Sequence, residues 1–226
     1  MNKLRPVPIA GLCFLFISHH ALVAQNRLVY REQTGQKIVR IEAWEDRHPE
    51  GVILHSVMSN GEAYDIQNDP GMATIAFTYE NTGQNTLYWA SREGNAIRFE
   101  GTIMGKPFAR SERIDSRPLY QSVERSLQGF AVSGMPETIY FWIVLPSDAK
   151  VFQLMARREG REVVDIDGQQ VEAERVKVSL PGIASIFWSS VYWFRPGDGT
   201  FLRSECVRGF IGTPKTILVL VEGERL

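Results

Sequence analysis

The chain has 226 residues, and its 25 Lys and Arg side chains nearly balance 26 Asp and Glu side chains, for a net charge of −1. Nucleic-acid binding needs a dense cationic surface, so this balance gives no reason to expect a nucleic-acid partner. Of the two cysteines, Cys13 lies in the leader described next, which leaves Cys206 alone and excludes an intramolecular disulfide once the leader is removed.

The N-terminus has the composition of an export signal. Two cations precede a short apolar run, Ile9–Ser18, and the small residue Ala24 lies ahead of a plausible cleavage site. The run is too short to cross a bilayer as a helix. We predict that residues 1–24 are a cleaved signal peptide and that residues 25–226 form a single β-rich domain with no membrane-spanning segment. The predicted destination is the periplasm, and retention of the leader as an anchor is the alternative.

Strand patterns dominate the rest of the chain. The segments TIAFTYE (Thr74–Glu80) and AIRFEGTI (Ala96–Ile103) alternate their side chains in the way that is typical of a sheet with one buried and one solvated face. Residue pairs that favour two-residue hairpin turns separate other segments. These pairs are Asn60-Gly61, Asp167-Gly168 and Asp198-Gly199. Short turns connect antiparallel neighbours, so the pattern predicts a meandering antiparallel sheet.

One segment, Ser116–Gly134, has helical rather than strand periodicity. Its apolar side chains recur every three or four residues, and Ser116 and Pro118 are suited to the start of a helix. The apolar positions are Leu119, Val123, Leu127 and Phe130. We predict one amphipathic helix whose apolar stripe packs on a face of the sheet and forms the lid of any ligand site.

Two later segments are apolar on both sides, namely TIYFWIVL (Thr138–Leu145) and TILVLV (Thr216–Val221). Continuous apolar runs are typical of strands that are covered on both faces. The sequence therefore predicts that both strands lie at the centre of the sheet, beneath the helix.

A dense aromatic stretch, SIFWSSVYWFRPGDG (Ser185–Gly199), has large apolar side chains on both faces of a predicted strand. By parity, one face carries Ile186, Trp188, Tyr192 and Phe194, and the other carries Phe187, Val191 and Trp193. Three interpretations follow: both faces are core, one face lines a groove for an apolar or amphipathic ligand, or one face contacts a protein. The candidate walls of the groove are Tyr140, Trp142, Trp188, Tyr192 and Phe194.

Patterns that carry catalysis are missing from the sequence. Beyond the leader, the two histidines His48 and His55 are not spaced as a zinc pair on a helix. The acidic cluster Glu42–Gly51 is interpreted as a solvated loop, and Cys206 as an ordinary buried cysteine. Neither a nucleophile elbow nor a glycine-rich phosphate loop occurs. We predict no catalytic residue, metal ion or cofactor. A hydrolase is the alternative if titratable groups converge in one cleft.

The C-terminal half carries a resemblance to a known family. The residues concerned are Val151–Leu180, with its Gly168 hairpin, then YWFRPGDGTFLRSE (Tyr192–Glu205), then the final apolar strand. They resemble exported bacterial proteins known only as a domain of unknown function, a family related to the periplasmic lipoprotein-carrier fold. The resemblance implies a strongly curved antiparallel sheet, wrapped as a half-barrel around one helix on its concave face. It also implies that Leu119–Phe130 partly fills that face.

These observations support a first hypothesis and two alternatives. In the first, an exported protein without a catalytic site binds or carries an apolar or amphipathic envelope molecule, either a lipid or a lipoprotein. In the second, it is a structural or interaction module of the envelope that pairs through an apolar patch or a free strand edge. The third is the hydrolase named above. The sequence predicts no particular oligomeric state.

Overall fold

Within the described residues, fourteen strands form one antiparallel sheet. The computed structural model describes residues 27–134, 136–207 and 214–222. The predicted leader, residues 1–24, lies outside the described residues, so its cleavage stays a prediction. The strands are β1 (Leu28–Thr34), β2 (Lys37–His48), β3 (Gly51–Met58), β4 (Glu62–Asn68), β5 (Thr74–Asn81), β6 (Thr86–Glu93), β7 (Ala96–Ile103), β8 (Lys106–Arg113), β9 (Thr138–Leu145), β10 (Lys150–Ile166), β11 (Gln169–Ser179), β12 (Ser189–Phe194), β13 (Phe201–Val207) and β14 (Lys215–Glu222).

The pairing order divides the sheet into two meanders that meet where the chain begins and ends. Strands β1–β8 follow one another on one side and β14–β9 on the other, and β1 pairs with β14 so that Tyr30 lies opposite Leu220. The sheet is not closed into a barrel, and its two edge strands are β8 and β9. The prediction of a single curved antiparallel sheet with a helical segment is confirmed.

The helical segment packs on the sheet as predicted, although it is short and broken. Helix α1 covers Val123–Ser126 and α2 covers Gln128–Val132, with Leu127 between them. Leu127 is fully buried among side chains from β1, β2 and β9–β13, together with Val123 and Phe130. Leu119 is equally buried, but among side chains from β3–β7. All four positions of the predicted apolar stripe are therefore core residues.

The helix begins later than the sequence predicted, at Val123 instead of Ser116. The segment before it lies along edge strand β9, where the Trp142 amide donates to the Pro118 carbonyl and the Tyr120 amide donates to the Trp142 carbonyl, both at 2.8 Å. Proline disfavours the helical conformation of the residue before it, here Arg117. An edge strand also has backbone groups that need partners. Both effects favour an extended segment over the first helical turns.

The position predicted for Thr138–Leu145 was wrong, because β9 is an edge strand and does not lie at the centre of the sheet. Its two faces are buried in different clusters, Phe141 with Leu127 and Val144 with Leu119, and both residues are fully buried. Coverage of both faces accounts for the continuous apolar run, and the segment around Leu119 covers the open edge of the strand. The other two-sided run lies inside the sheet as predicted, in β14 between β1 and β13.

A second layer covers part of the convex face. The hairpin formed by β10 and β11 crosses the outside of β12, β13 and β14, and Asp167 at its tip forms a 2.7 Å ion pair with Arg31 of β1. Its Ile166 and Ala173 are buried with apolar side chains of the strands beneath. Those side chains are Trp193, Leu202 and Val219. Strand β10 contains an irregularity beside Gly160, whose φ of +94° is readily adopted only by glycine, and such bulges bend strands.

This second layer explains why the aromatic stretch has rings on both faces. Tyr192 and Phe194 point into the concave core, whereas Trp193 points outward beneath the hairpin, where its indole N–H donates to Glu162 Oε1 at 2.7 Å. The strand begins only at Ser189, however. The predicted strand residues Ile186 and Phe187 lie in and just after a 3₁₀ helix, Gly182–Ile186, and each is 75% exposed.

We predict that Leu127→Ala lowers the free energy of unfolding by about 3 kcal/mol, because the truncation leaves a cavity in the concave core. Urea unfolding followed by circular dichroism measures this loss. Val163→Ala is the matched control, since Val163 is 65% exposed and its truncation should change stability by less than about 0.5 kcal/mol. Equal losses in the two variants would contradict the role of the helical segment in the core.

A candidate binding cleft between the sheet and helix α1

A cleft of about 600 Å³ lies between strands β1–β4 and helix α1. This volume is within the range of about 300–1,000 Å³ that small-molecule sites occupy. Most of its sheet side is apolar, through Leu28, Tyr30, Ile41, Ala43, Trp44, Leu54, Met58, Tyr64, Ile66 and Leu218. Strands β1–β3 also bring five polar residues to this side, namely Glu32, Glu45, Arg47, His55 and Ser56.

The helical side of the cleft is polar. Residues Gln121, Ser122, Glu124, Arg125 and Gln128 line it, whereas Val123 and Leu127 of the same segment are buried in the core. Residues three and four positions apart lie on the same side of a helix, which places Gln128 beside both Glu124 and Arg125 at the cleft. The cleft is therefore amphipathic. We call its mainly apolar sheet side the floor and its polar helical side the roof.

An ion-pair network fixes helix α1 to the sheet across the cleft. Arg125 binds Glu45 of β2, and Arg47 binds the other oxygen of the same carboxylate at 2.6 Å. The side chains of Arg125 and Glu45 are 19% and 21% exposed, so water screens their attraction only in part. The network holds the polar roof at a fixed position above the apolar floor.

One residue that lines the cleft, Gln128, also has a polar atom without a protein partner. The Nε2 atom of Gln128 is buried, and no hydrogen-bond partner for it occurs among the described residues. A buried amide that lacks a partner costs roughly 1–3 kcal/mol, so native structures usually satisfy it. Because an amide nitrogen can only donate, the missing partner must be an acceptor. Because the atom is buried, a ligand oxygen or a water molecule meets this requirement once the Gln128 side chain turns its amide toward the cleft.

Two tyrosines contribute neutral hydroxyls to the lining. Burial raises the pKa of Tyr30 well above its ordinary value, although the nearby Arg125 lowers it in part. Burial likewise raises the pKa of Tyr64, and the neighbouring Tyr79 adds to the effect. Both phenols therefore stay protonated at any physiological pH and can donate as well as accept hydrogen bonds.

The candidate wall residues predicted from the sequence lie outside this cleft. Tyr192 is 9% and Phe194 0% exposed, and both rings pack against Phe201 at centroid distances of 6.1 and 5.9 Å. Trp188 is half-buried at the edge of the same core cluster. These three residues surround the concave core, and a ligand role for them stays a prediction.

The other two wall candidates, Tyr140 and Trp142, lie on edge strand β9. The indole N–H of Trp142 donates to Asp115 at 2.9 Å, and this bond, with one from the Arg117 amide, lowers the pKa of the Asp115 carboxyl. Tyr140 is 42% exposed beneath the Arg117 guanidinium, 5.4 Å from its ring centre. The predicted lid residues Leu119, Val123, Leu127 and Phe130 are core residues, and their polar neighbours line the cleft instead.

No sequence signal marked the cleft in advance. Tyr30, Ile41, Leu54 and Ile66 alternate like the core residues of any half-buried strand. Glu124, Arg125 and Gln128 have the spacing of an ordinary solvated helix face. The combination arises only because a short helix covers part of a wide concave surface.

Within the described part of the chain, no group of three or more His, Cys, Asp and Glu side chains is placed to hold a metal ion. The ring of His55, a residue at the cleft, stacks on Trp44 at 5.2 Å, and its Nδ1 lies 2.6 Å from Asp65. The described residues also include no helix that is both long and apolar enough to span a membrane.

This protein is similar to known proteins in its fold and not in its sequence. No family model and no curated protein matches the sequence. The fold is similar to a β-barrel-like protein of the domain of unknown function DUF1849 from Brucella abortus, with a TM-score of 0.58 and 10% identity over 88% of this chain and 96% of that chain. The hypothetical lipoprotein YmcC from Escherichia coli aligns with a TM-score of 0.42 and 9% identity, over 88% and 86% of the two chains. The first similarity confirms, at the level of fold, the resemblance to a bacterial domain of unknown function.

We predict a measurable coupling between Arg125 and Glu45. A double-mutant cycle with Arg125→Ala and Glu45→Ala, measured by urea unfolding, should give a coupling free energy of about 1 kcal/mol. The control cycle uses Lys150 and Asp148, a 2.7 Å pair whose side chains are 65% and 41% exposed. That cycle should give less than about 0.5 kcal/mol because solvent screens the pair. Absence of coupling in the first cycle would mean that the network does not hold α1 on the sheet.

Proposed function

We propose that this protein binds an amphipathic molecule of the cell envelope, with the apolar part on the floor of the cleft and the polar part beneath helix α1. The observation that carries the proposal is the amphipathic lining, in which a mainly apolar sheet surface faces Gln121, Glu124, Arg125 and Gln128. A purely apolar ligand would leave the polar roof without water or partners, and a purely polar ligand would leave the floor unfilled.

The unpartnered Gln128 amide narrows the ligand class. Gln128 lines the cleft and its amide nitrogen needs an acceptor, so the polar end of the proposed ligand carries a carbonyl, carboxyl or phosphoryl oxygen that this amide turns to meet. Lipids and acylated molecules have this combination of a hydrocarbon chain and acceptor oxygens. The proposal therefore names a lipid or the acyl part of a lipoprotein as the ligand, held without covalent chemistry.

The envelope is the proposed location because the N-terminal pattern predicts export to the periplasm. The proposal treats the protein as a carrier or receptor and not as an enzyme, since the groups around the cleft are suited to holding a ligand. A hydrolase would need a nucleophile or an activated water next to a general base.

A structural or interaction module of the envelope is the alternative function. It requires a free strand edge or an apolar surface that pairs with another chain. The open edge strand β8 is poorly suited to pairing with a strand of another chain. Pro107 lacks a backbone N–H donor, and Arg110 and Arg113 add positive charge to the edge. The cleft is the better-supported site of the two.

We predict that filling the cleft abolishes ligand binding while the fold survives. Ala43→Trp adds a large ring to the floor of the cleft and should weaken binding of a fluorescent fatty acid at least about tenfold, as measured by titration. Ala109→Trp is the matched control, because Ala109 is exposed on β8, away from the cleft, and its affinity should be unchanged. Native mass spectrometry of the purified protein should show a bound lipid that Ala43→Trp removes.

Gln128→Leu tests the orientation of the ligand. It should weaken binding of the fatty acid about fivefold to tenfold and leave an uncharged hydrocarbon probe unaffected, since only the former offers an acceptor to the amide. The proposed function would be wrong if the protein bound neither probe and carried no lipid. Equal binding of the fatty acid by Ala43→Trp, Ala109→Trp and the unaltered protein would also exclude the cleft as the site.

A further inference from the structure

One end of the sheet carries an unusual share of exposed apolar side chains. At this end lie the β1–β2, β3–β4, β5–β6, β7–β8, β9–β10 and β11–β12 connections, because successive antiparallel strands reverse direction. We call its exposed apolar residues the apolar rim. They are Ile38, Val57, Leu87, Met104, Leu145, Ile183, Ile186 and Phe187.

The most exposed part of the apolar rim is the β11–β12 connection. Ile183 is 85% exposed, and Ile186 and Phe187 are each 75% exposed, in and just after the 3₁₀ helix Gly182–Ile186. Leaving three neighbouring large apolar side chains in water is costly, at roughly 1.5–3 kcal/mol for each side chain that could be buried. Scattered single apolar residues need no explanation, but a protruding cluster of this kind marks a contact with something apolar.

The lysines at the same end of the sheet indicate what kind of surface the apolar rim contacts. Lys37, Lys106, Lys150 and Lys215 are each the first residue of a strand, directly after a connection at the apolar rim. The only other lysine of the described residues, Lys177, lies within β11. Lys150 pairs with Asp148 and Lys215 with Glu205, whereas Lys37 and Lys106 have no ion-pair partner among the described residues.

Lysine beside exposed apolar side chains favours a lipid surface over a protein surface. Protein interfaces are depleted in lysine, because the strongly hydrated ammonium group is costly to desolvate. At a membrane surface the apolar side chains enter the acyl boundary while lysines stay among the headgroups and attract anionic lipids. Four strand spacings separate β12 from β2 in the order of the sheet. Adjacent strands lie about 4.8 Å apart, so Ile38 and Lys37 lie only about 20 Å from the β11–β12 connection.

We propose that the apolar rim docks on the surface of an anionic lipid bilayer, with Ile183, Ile186 and Phe187 inserted and Lys37 and Lys106 among the headgroups. This inference goes beyond the proposed cleft function and does not depend on it. The cleft residues Arg47 and Asp198 lie near or in connections at the opposite end of the strands, so the two sites can be altered separately.

Vesicle co-sedimentation tests this inference with vesicles that contain phosphatidylethanolamine and phosphatidylglycerol. The triple variant Ile183→Ser, Ile186→Ser, Phe187→Ser should lower the partition coefficient at least about tenfold. The double variant Lys37→Gln, Lys106→Gln should lower it about fivefold or more on these vesicles and leave the weaker binding to phosphatidylcholine vesicles unchanged. Every protein in the comparison carries the same residues 1–26, so any contribution of that segment to binding cancels.

Two controls separate docking from other effects. Val163→Ser removes an exposed apolar side chain of the β10–β11 hairpin, outside the apolar rim, and Ala43→Trp alters the cleft, so both should bind vesicles like the unaltered protein. Unchanged thermal unfolding of each variant shows that the fold is intact. Three results would overturn the inference: no vesicle binding by the unaltered protein, equal binding by the triple variant, or light scattering that shows a dimer which the triple variant dissociates.

Discussion

Burial of one segment, Leu119 to Ala131, holds the two halves of this sheet around a common interior. The N-terminal part of the segment inserts Leu119 among β3–β7, and the remainder inserts Val123, Leu127 and Phe130 among β1, β2 and β9–β13. A sheet of fourteen strands that is not closed into a barrel has no intrinsic reason to stay curved, since strands twist and coil but do not by themselves define an interior. The side chains of this segment supply the apolar surface around which both meanders bend. The cleft exists because the segment is too short to cover the whole concave face.

Local patterns predicted much of this architecture. Alternation in Thr74–Glu80 and Ala96–Ile103 and the Asn-Gly and Asp-Gly turns led directly to the antiparallel meander. Helical spacing identified four positions that are all buried. The pairing of β1 with β14 joins residues almost two hundred positions apart, and no local pattern carries such information. The place of Thr138–Leu145 was misjudged for a related reason, because an apolar run shows that a strand is covered but not whether a strand, a loop or a helix covers it.

The functional surfaces were harder to foresee than the core. Rings of the aromatic stretch looked like candidate walls, yet Tyr192 and Phe194 fill the concave core and Trp193 is covered by the β10–β11 hairpin. The cleft instead combines commonplace strand residues with the hydrophilic side of α1. Whether a helical arginine such as Arg125 faces water or a carboxylate across a cleft depends on tertiary placement, which composition does not encode. The exposed position of Ile183, Ile186 and Phe187 was likewise hidden, because the sequence continued the strand pattern into a connection that forms a 3₁₀ helix.

The pairing of the first strand with the last also governs the order in which the chain can fold. Until β14 is available, β1 has one unpaired edge, and its amide and carbonyl groups can recruit strands of other molecules. Completing the sheet requires closure of a loop that spans nearly the whole chain, and such high contact order slows folding. Because synthesis proceeds from the N-terminus, the nascent chain exposes this edge until β14 has been made. Chaperones that mask open strand edges would therefore be most valuable to this protein before its final strand emerges.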